Sequence, residues 1–285
     1  MGKILSIILC TALFVSSAIV CSEAQTRLSI RVNGADSMHG RIMSLSKLYM
    51  KDHLNVDITV EKDGLIDDGI RALIDGKVEV VMASRKITVR ENIAARSKGV
   101  PVVEHLIGYG GIVIITHPTT TIGEITVDQV RRLLKGECVN WKELDAQYQP
   151  VVVFKTVDKH PGTLQFVQNS ILAGVPIAKS AQEVPDFPTL MKKVAETPGA
   201  ITYVRIRDPF ETETGRTTRI KVLKIKKDNI SPPVSPSRKT VMDGSYPLRR
   251  PYYLYISRTA DKNVRAFVDY VVSKGWGPQD MTYVW

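Results

Sequence analysis

The chain has 285 residues, of which 44% are hydrophobic and 24% are charged. These fractions fit a packed core in one large or two medium domains, and they exclude a disordered chain or a bundle of membrane helices. Lysine and arginine outnumber aspartate and glutamate by 39 to 29, which gives a formal net charge of +10 and favours an anionic partner.

The first 24 residues have the pattern of a secretory signal peptide. Lys3 gives the positive start, residues 4–20 are largely apolar, and Ser22-Glu23-Ala24 supplies small residues at the cleavage site. We therefore predict cleavage after position 24 and an exported mature protein. The alternative is a lipoprotein anchored through Cys21, which is less favoured because the bulky Val20 precedes that cysteine.

Cleavage leaves Cys138 as the single cysteine of the mature chain. An internal disulfide is then impossible, and the core alone must stabilise the fold. Because Cys138 has no catalytic partner at a typical spacing, we expect it to be a small buried residue.

Residues 28–60 have the pattern of a β-loop-α-β unit. Apolar residues alternate over 28–32 and 56–60, as in strands, and recur at steps of four and three over 38–49, as on one helix face. Such units build parallel sheets, in which ligands bind where a strand ends and its helix begins. The first helical turn offers free N–H groups and a partial positive charge, which suits an anion. The candidate ligand-binding residues here are Asp36, Ser37 and Met38.

Two further strand ends predict the same kind of site. A short apolar strand over 78–82 follows a helix that Asp67-Asp68 can cap. A buried strand over 151–154 leads into a loop and then a second helix N-terminus, where Pro161 suits the first turn. The candidate residues at these two strand ends are Ser84, Arg85, Gly162 and Thr163.

The remaining pattern predicts a chain that passes between two parts of the molecule. Gly110-Gly111 precedes the apolar strand 112–116, as expected of a segment that crosses between lobes. Residues 205–247 are polar and contain prolines, and we interpret them as a β-ribbon followed by a loop. The last apolar strand covers 251–256, and Asp261 can cap the final helix.

Within the predicted ribbon, residues 216–239 form a basic segment with a single acid, Asp228. The segment is either a solvated surface or a contact for anionic lipid, polysaccharide, an acidic protein or nucleic acid. Nucleic acid is the weakest of these, because no aromatic side chains are interleaved for base stacking. The eight basic residues are Arg216, Arg219, Lys221, Lys224, Lys226, Lys227, Arg238 and Lys239.

Five motifs, in chain order, resemble one family of proteins. Gly34-Ala35-Asp36-Ser37-Met38 is similar to the Gly-Ser-Asp-Thr-Met start found in one branch of the bacterial phosphate-binding proteins, the periplasmic receptors of ABC transporters. Residues 69–76 and Met82-Ala83-Ser84-Arg85 resemble that family's glycine-led helix and its Ala-Ser-Arg strand end. The other similar segments are residues 133–141, 198–204 and 243–251.

The resemblance implies an α/β fold of the type II periplasmic binding protein kind. Such a fold has two lobes, each a mainly parallel sheet flanked by helices, joined by two hinge strands. We expect lobe 1 to contain residues 25–110 and 248–285, and lobe 2 to contain residues 111–247. The resemblance also implies a monomeric periplasmic receptor that closes around a small anion, phosphate or a related oxyanion, and serves an ABC transporter permease.

The family's ligand-binding positions carry over to specific residues of this chain. Each also has a plain structural interpretation: helix caps for Asp36 and Ser37, a strand-end salt bridge for Ser84-Arg85, and a helix start for Gly162-Thr163. The residues at which the resemblance implies ligand binding are Asp36, Ser37, Met38, Ser84, Arg85, Gly162 and Thr163.

Two loops depart from the family pattern. The family has a glycine loop with Ser-Gly-Thr where this chain has residues 63–68, which include two additional carboxylates, Asp67 and Asp68. The family's third loop carries an arginine where this chain has Val157, and a serine where it has Pro161. Arginine gives a bidentate, permanently charged contact to an oxyanion, so its loss should weaken anion binding. The candidate substitutes are Lys155, Lys159, His160 and Arg85.

Two hypotheses for function follow. The first is a solute-binding protein for an oxyanion, and the second is a degenerate relative that acts as a scaffold, sensor or surface-interaction protein through residues 216–239. We predict no enzyme activity and no cofactor, since the sequence has no Ser-His-Asp set, nucleophile elbow or Walker loop. The five histidines lack metal-ligand spacing, so we expect no metal site.

Overall fold

The computed structural model describes residues 27–62, 64–157, 161–206 and 220–275. The predicted signal peptide, including Cys21, lies outside these ranges. The strands are β1 (Leu28–Gly34), β2 (Val56–Val60), β3 (Val80–Ala83), β4 (Val102–Thr116), β5 (Glu124–Thr126), β6 (Val152–Thr156), β7 (Gln182–Val184), β8 (Ala200–Arg205), β9 (Lys221–Val222), β10 (Lys224–Lys226) and β11 (Arg249–Ser257). The α-helices are α1 (Asp36–Asp52), α2 (Ile66–Ile74), α3 (Val89–Ser97), α4 (Val127–Lys135), α5 (Pro161–Phe166), α6 (Phe187–Glu196), α7 (Arg238–Met242) and α8 (Lys262–Lys274).

Local sequence explains where several helices begin and end. Thr88 and Thr126 each form a capping box at the start of α3 and α4. Asp261 caps α8 as predicted, since its side chain accepts a hydrogen bond from the backbone N–H of Asn263. Gly136 ends α4 in the left-handed conformation, with φ 73°. No helix in the described ranges is long and apolar enough to cross a membrane.

One large sheet runs through the molecule in the order β2-β1-β3-β11-β4-β8-β6-β7, with β9 paired to β4. The strands β2, β1 and β3 are parallel, and β11 lies antiparallel between β3 and β4. Beyond β4, the strand β8 is antiparallel to β4, whereas β6 is parallel to both β8 and β7. The strands β10 and β5 form a separate parallel pair.

Two hydrophobic clusters lie along this sheet. The first gathers buried residues of β1–β3, α1, α2 and α8, and the second gathers those of α4, α6, β6 and β8. The strand β4 belongs to both clusters, since it contributes Ile107 to the first and Ile112 to the second. The strand β11 packs in the first cluster through Tyr252, and Leu248, just before β11, packs in the second. This confirms the predicted α/β fold with two lobes joined by two strands, whereas the residue boundaries of the lobes stay a prediction.

Two expectations about the connecting segments were wrong. Gly110-Gly111 lies inside one continuous 15-residue strand, β4, and not ahead of a separate strand. The ribbon itself stays a prediction, because residues 207–219 lie outside the described residues. Beyond them β9 pairs with β4 and β10 with β5, and Ile225 forms an antiparallel bridge with Val234. The short helix α7 also occupies part of the segment that we interpreted as a loop.

Candidate functional site

The ends of β1 and β3 lie in very close contact. Gly34 has a φ of +117°, and a Cβ atom at this position would lie 2.1 Å from the carbonyl oxygen of Met82. The backbone N–H of Ala35 donates to that same oxygen at 2.8 Å. Only glycine fits such a position, and it sets where α1 begins.

The first turn of α1 is buried and has no side-chain cap. Its N-cap residue is Ala35, so the interpretation of Asp36 and Ser37 as helix caps is wrong. Asp36 and Ser37 are each 4% exposed, and Met38 is fully buried. Among the described residues, the Ser37 hydroxyl has no hydrogen-bond partner. A buried hydroxyl of this kind is costly unless something accepts its proton or donates to its oxygen.

Arg250 connects the predicted site residues of the two lobes. It lies near the start of β11 and is fully buried. Its Nη2 donates to the Ser84 hydroxyl at 2.7 Å, and its Nη1 donates to the Thr163 hydroxyl at 3.3 Å. Ser84 directly follows β3, whereas Thr163 belongs to α5, and α5 contacts α1. The structure therefore brings two sequence-predicted hydroxyls together around one guanidinium.

Aromatic rings and charges around Arg250 define its electrostatics. Its guanidinium carbon lies 5.1 Å from the centre of the Phe166 ring and 5.6 Å from that of Tyr252. Burial lowers the pKa of Arg250 to about 10, with a smaller contribution from Arg205, whereas Tyr252 and the Asp36 carboxylate act in the opposite direction. Arg250 is therefore a buried cation at neutral pH.

Arg85 is a predicted ligand-binding residue and a candidate substitute for the family's missing arginine, and its guanidinium contacts two carboxylates. Two of its guanidinium nitrogens contact the Glu91 carboxylate at 2.7 and 2.9 Å, and one of them contacts Asp67 at 2.5 Å. The hydrogen bonds that Arg85 donates to these carboxylates, that to Glu91 foremost, raise its pKa despite its partial burial. The expected cap of α2 by Asp67-Asp68 was wrong, because the N-cap is Leu65 without a side-chain bond.

Of the other candidate substitutes, the structure describes only Lys155. Lys155 pairs with Glu183 at 2.8 Å, and Lys159 and His160 lie outside the described residues. Val157, at the family's arginine position, is 45% exposed. The backbone of Gly162 lies in α5, beside Thr163. The helix α5 has six residues and continues into a π-helical turn, Val167–Ile171.

No group of three or more potential metal ligands occurs among the described residues. The prediction for Cys138 is confirmed, since this free thiol is 1% exposed. Burial raises the pKa of the thiol, so Cys138 is a poor nucleophile.

Sequence reasoning missed Arg250, the central residue of the cluster. Arg250 lies in the similar segment 243–251, but it lies in a strand, whereas the sequence predicted ligand binding at the starts of helices. A signal was present, because Arg250 has the same strand parity as the apolar residues Tyr252, Leu254 and Ile256. A charged residue in such a row is expected to be buried with dedicated partners.

Two α/β lobes around a buried cation and hydroxyls define the class of two-lobed solute-binding folds. The chain belongs to the PBP superfamily, since the family model described as "PBP superfamily domain" matches residues 21–274. It is similar to the phosphate-binding protein PstS of Bacillus subtilis (strain 168), with 23% identity over 252 residues that cover 88% of this chain and 78% of that protein.

Solved structures show the same fold. An ABC-type phosphate transport receptor from Vibrio cholerae superposes with a TM-score of 0.71 at 19% identity, covering 89% of this chain and 96% of the other. PstS from Borrelia burgdorferi superposes with a TM-score of 0.68 at 18% identity, covering 87% of this chain and 97% of the other. The relatives are thus named as binding proteins and receptors.

Proposed function

We propose that this chain is an exported solute-binding protein that holds a small oxyanion, with phosphate as the first candidate, between its two lobes. One observation supports the proposal: the fully buried Arg250 donates to hydroxyls of Ser84 and Thr163. We assign these two residues to lobe 1 and lobe 2 by the predicted boundaries. A ligand that takes over these hydrogen bonds would join the lobes through a single cation.

The chemistry around Arg250 fits a tetrahedral oxyanion. A guanidinium presents several N–H donors in a fixed plane, and hydroxyls and the start of α1 supply further donors from other directions. The unpartnered Ser37 hydroxyl adds one such donor. Asp36, buried in the same turn, has a carboxylate that can accept a hydrogen bond from an O–H of the ligand, which favours an oxyanion that still carries a proton. We therefore expect phosphate to bind better than sulfate.

Arg250 and Arg249 offer a matched pair of variants. Calorimetric titration with phosphate, sulfate and molybdate at low salt should show phosphate binding by the wild-type protein. Arg250→Lys keeps the charge but loses the bidentate donors, so we expect its phosphate affinity to fall roughly 10- to 100-fold. Arg249→Lys is the control: its neighbouring guanidinium lies over the Tyr109 ring, 3.4 Å from the centre, and its affinity should change by less than about threefold.

Equal losses in both variants would contradict the role of Arg250. Melting temperatures of both variants show whether each is folded. The absence of heat and of thermal shift with all three anions would instead remove the oxyanion proposal. The scaffold hypothesis for the basic segment would then become the leading one.

We also propose that the protein is a periplasmic monomer that delivers its ligand to an ABC transporter permease. The names of its relatives support this assignment, and so does the signal-peptide pattern of the first 24 residues. Mass spectrometry of the mature N-terminus tests export directly. A lipidated Cys21 would mean that the protein is anchored.

A further inference from the structure

A short loop after β10 carries an exposed apolar tip. Ile225 and Val234 exchange two backbone hydrogen bonds of 2.9 Å each, so the residues between them form a closed loop. Ile230, in the middle of this loop, is 94% exposed. Pro232 and Pro233 beside it are exposed as well. The loop thus holds a small apolar surface in water, which is unfavourable in the isolated protein.

The loop is fixed by its single acid. The Asp228 carboxylate accepts hydrogen bonds from the backbone N–H of Ile230 at 3.1 Å and of Ser231 at 2.8 Å, and from the Ser231 hydroxyl at 2.7 Å. Side-chain turns of this kind preorganise a loop. The conformation that exposes Ile230 is therefore built into the protein, and the one negative charge of the loop is hydrogen-bonded within the turn.

Cationic side chains surround the loop in sequence on both sides. Lys224 and Lys227 on one side, and Arg238 and Lys239 on the other, are exposed. Arg238 is four residues beyond Val234, so at most about 14 Å of extended chain separates it from the base of the loop.

Two other lysines of this stretch are engaged within the protein. The Nζ of Lys226 lies 3.8 Å from Glu124, and that of Lys221 donates to the backbone carbonyl of Thr120 at 2.6 Å. They contribute less to the outward charge than Lys224 and Lys227.

We propose that this loop, residues 226–233 with its cationic neighbours, is a contact site for the surface of an anionic lipid membrane. Anionic headgroups would pair with the exposed lysines and arginine, while Ile230 enters the boundary between headgroups and acyl chains. A polysaccharide or an acidic protein would be held by the cations alone and would leave the apolar tip in water. A bilayer provides both a negative surface and an apolar interior, so it fits the loop best.

Vesicle sedimentation tests this contact. The full mature protein is mixed with vesicles of equal parts phosphatidylglycerol and phosphatidylcholine, and separately with phosphatidylcholine alone, at low and high salt. We expect binding to the anionic vesicles only, and less of it at high salt. The variant Lys224→Glu/Lys227→Glu should bind at least about tenfold more weakly, and Ile230→Ser should bind several-fold more weakly while keeping its salt dependence.

Matched controls come from the other lobe. Lys47→Glu/Lys51→Glu on α1 makes the same change in net charge at two exposed positions, and Leu54→Ser removes another exposed apolar side chain, 74% exposed. Both controls should bind vesicles nearly as well as the wild-type protein. Melting temperatures within a few degrees of the wild-type value establish that every variant is folded.

Several outcomes would overturn the proposal. Failure of the wild-type protein to bind anionic vesicles would do so, as would equal loss of binding in the α1 control, because the attraction would then belong to the whole molecule. Unchanged binding by Ile230→Ser would also overturn it, since the contact requires the apolar tip. The result does not depend on the anion site, because Arg250 plays no part in it.

Discussion

Arg85 and Arg250 lie near the same strand end in very different electrostatic surroundings. Arg85 contacts the carboxylates of Glu91 and Asp67. Their two negative charges exceed its single positive charge. Arg250 donates to the neutral hydroxyls of Ser84 and Thr163, and burial lowers its pKa more than the Asp36 carboxylate raises it. The number of arginines near a cleft therefore says less about anion binding than the charge of their partners does.

The Arg85–Glu91 pair predicts a pH-dependent contribution to stability. Burial alone would raise the pKa of Glu91, but hydrogen bonds from Arg85 and Thr88 outweigh it and lower the pKa to about 2, from an ordinary value of 4.5. Because the pKa is lower in the folded state, this stabilisation is complete above about pH 4.5 and is lost as the pH falls toward about 2. Glu91→Gln should therefore lower the free energy of unfolding by roughly 2 kcal/mol at neutral pH and show a flatter pH dependence below pH 4.5.

Urea unfolding at about pH 7 and about pH 3 measures both effects. The control is Asp68→Asn, which removes the exposed pair with Arg71 and should cost less than about 0.5 kcal/mol. If Glu91→Gln lost as much stability at pH 3 as at pH 7, its effect would be one of packing and not of charge.

At the residue scale, the sequence predicted two residues of the site but not the arginine that hydrogen-bonds to both. Ser84 and Thr163 were predicted as site residues because each follows a strand end, and the structure brings both to one guanidinium. Arg250 was not predicted, because its partners lie 87 and 166 residues away along the chain. Propensity and periodicity report only neighbours within a few residues.

At the scale of elements, the contact between α2 and β1 depends on two glycines. Gly69 in α2 would place a Cβ atom 3.0 Å from the Cα of Gly34 and 3.1 Å from Cγ1 of Val81. Replacing a helical glycine with alanine normally adds about 1 kcal/mol of helix stability. Here we expect a loss of stability instead of a gain, because overpacking costs about 1–3 kcal/mol. Gly69→Ala should lower the unfolding free energy and, by shifting the start of α1, the affinity for phosphate.

Gly123→Ala is the matched control for this substitution. No atom lies within 4 Å of its Cβ position, and its φ is outside the left-handed range, so we expect a gain of up to about 1 kcal/mol. Thermal and urea unfolding of the two variants give the comparison. A stabilised Gly69→Ala would show that α2 can move away from β1 freely.

The order of the elements was largely predictable from the sequence, and their pairing was less so. Alternation marked β1 and β2, an apolar run marked β11, and a β-loop-α pattern placed α1 after β1. The continuity of β4 through Gly110-Gly111 was missed, because glycines usually interrupt a strand; here a Cβ at Gly110 would collide with the Tyr252 hydroxyl, 2.5 Å away. Partners such as β5 for β10 depend on contacts about 100 residues apart, which no local pattern encodes.

At the scale of the whole molecule, the two hydrophobic clusters share β4, and the candidate site lies on its neighbour β11. An anion held by Arg250 together with Ser84 and Thr163 would stabilise both lobes against opening. We expect saturating phosphate to slow amide hydrogen exchange in β1, in the first cluster, and in β6, in the second, to a similar degree. In the variant Arg250→Met, phosphate should slow exchange in neither strand. If phosphate protected only one of the two strands in the wild-type protein, that result would contradict a site between the lobes.

The position of β11 between β3 and β4 has a consequence for folding during synthesis on the ribosome. Ser84 is synthesised 166 residues before Arg250, a delay on the order of ten seconds or more at typical translation rates. Until β11 is synthesised, β3 and β4 lack the strand that lies between them. The first cluster is then incomplete, and the contacts of Arg250 with Ser84 and Thr163 cannot form. We therefore expect the site around Arg250 to form only when the chain is almost complete, so that a nascent chain does not hold an anion there.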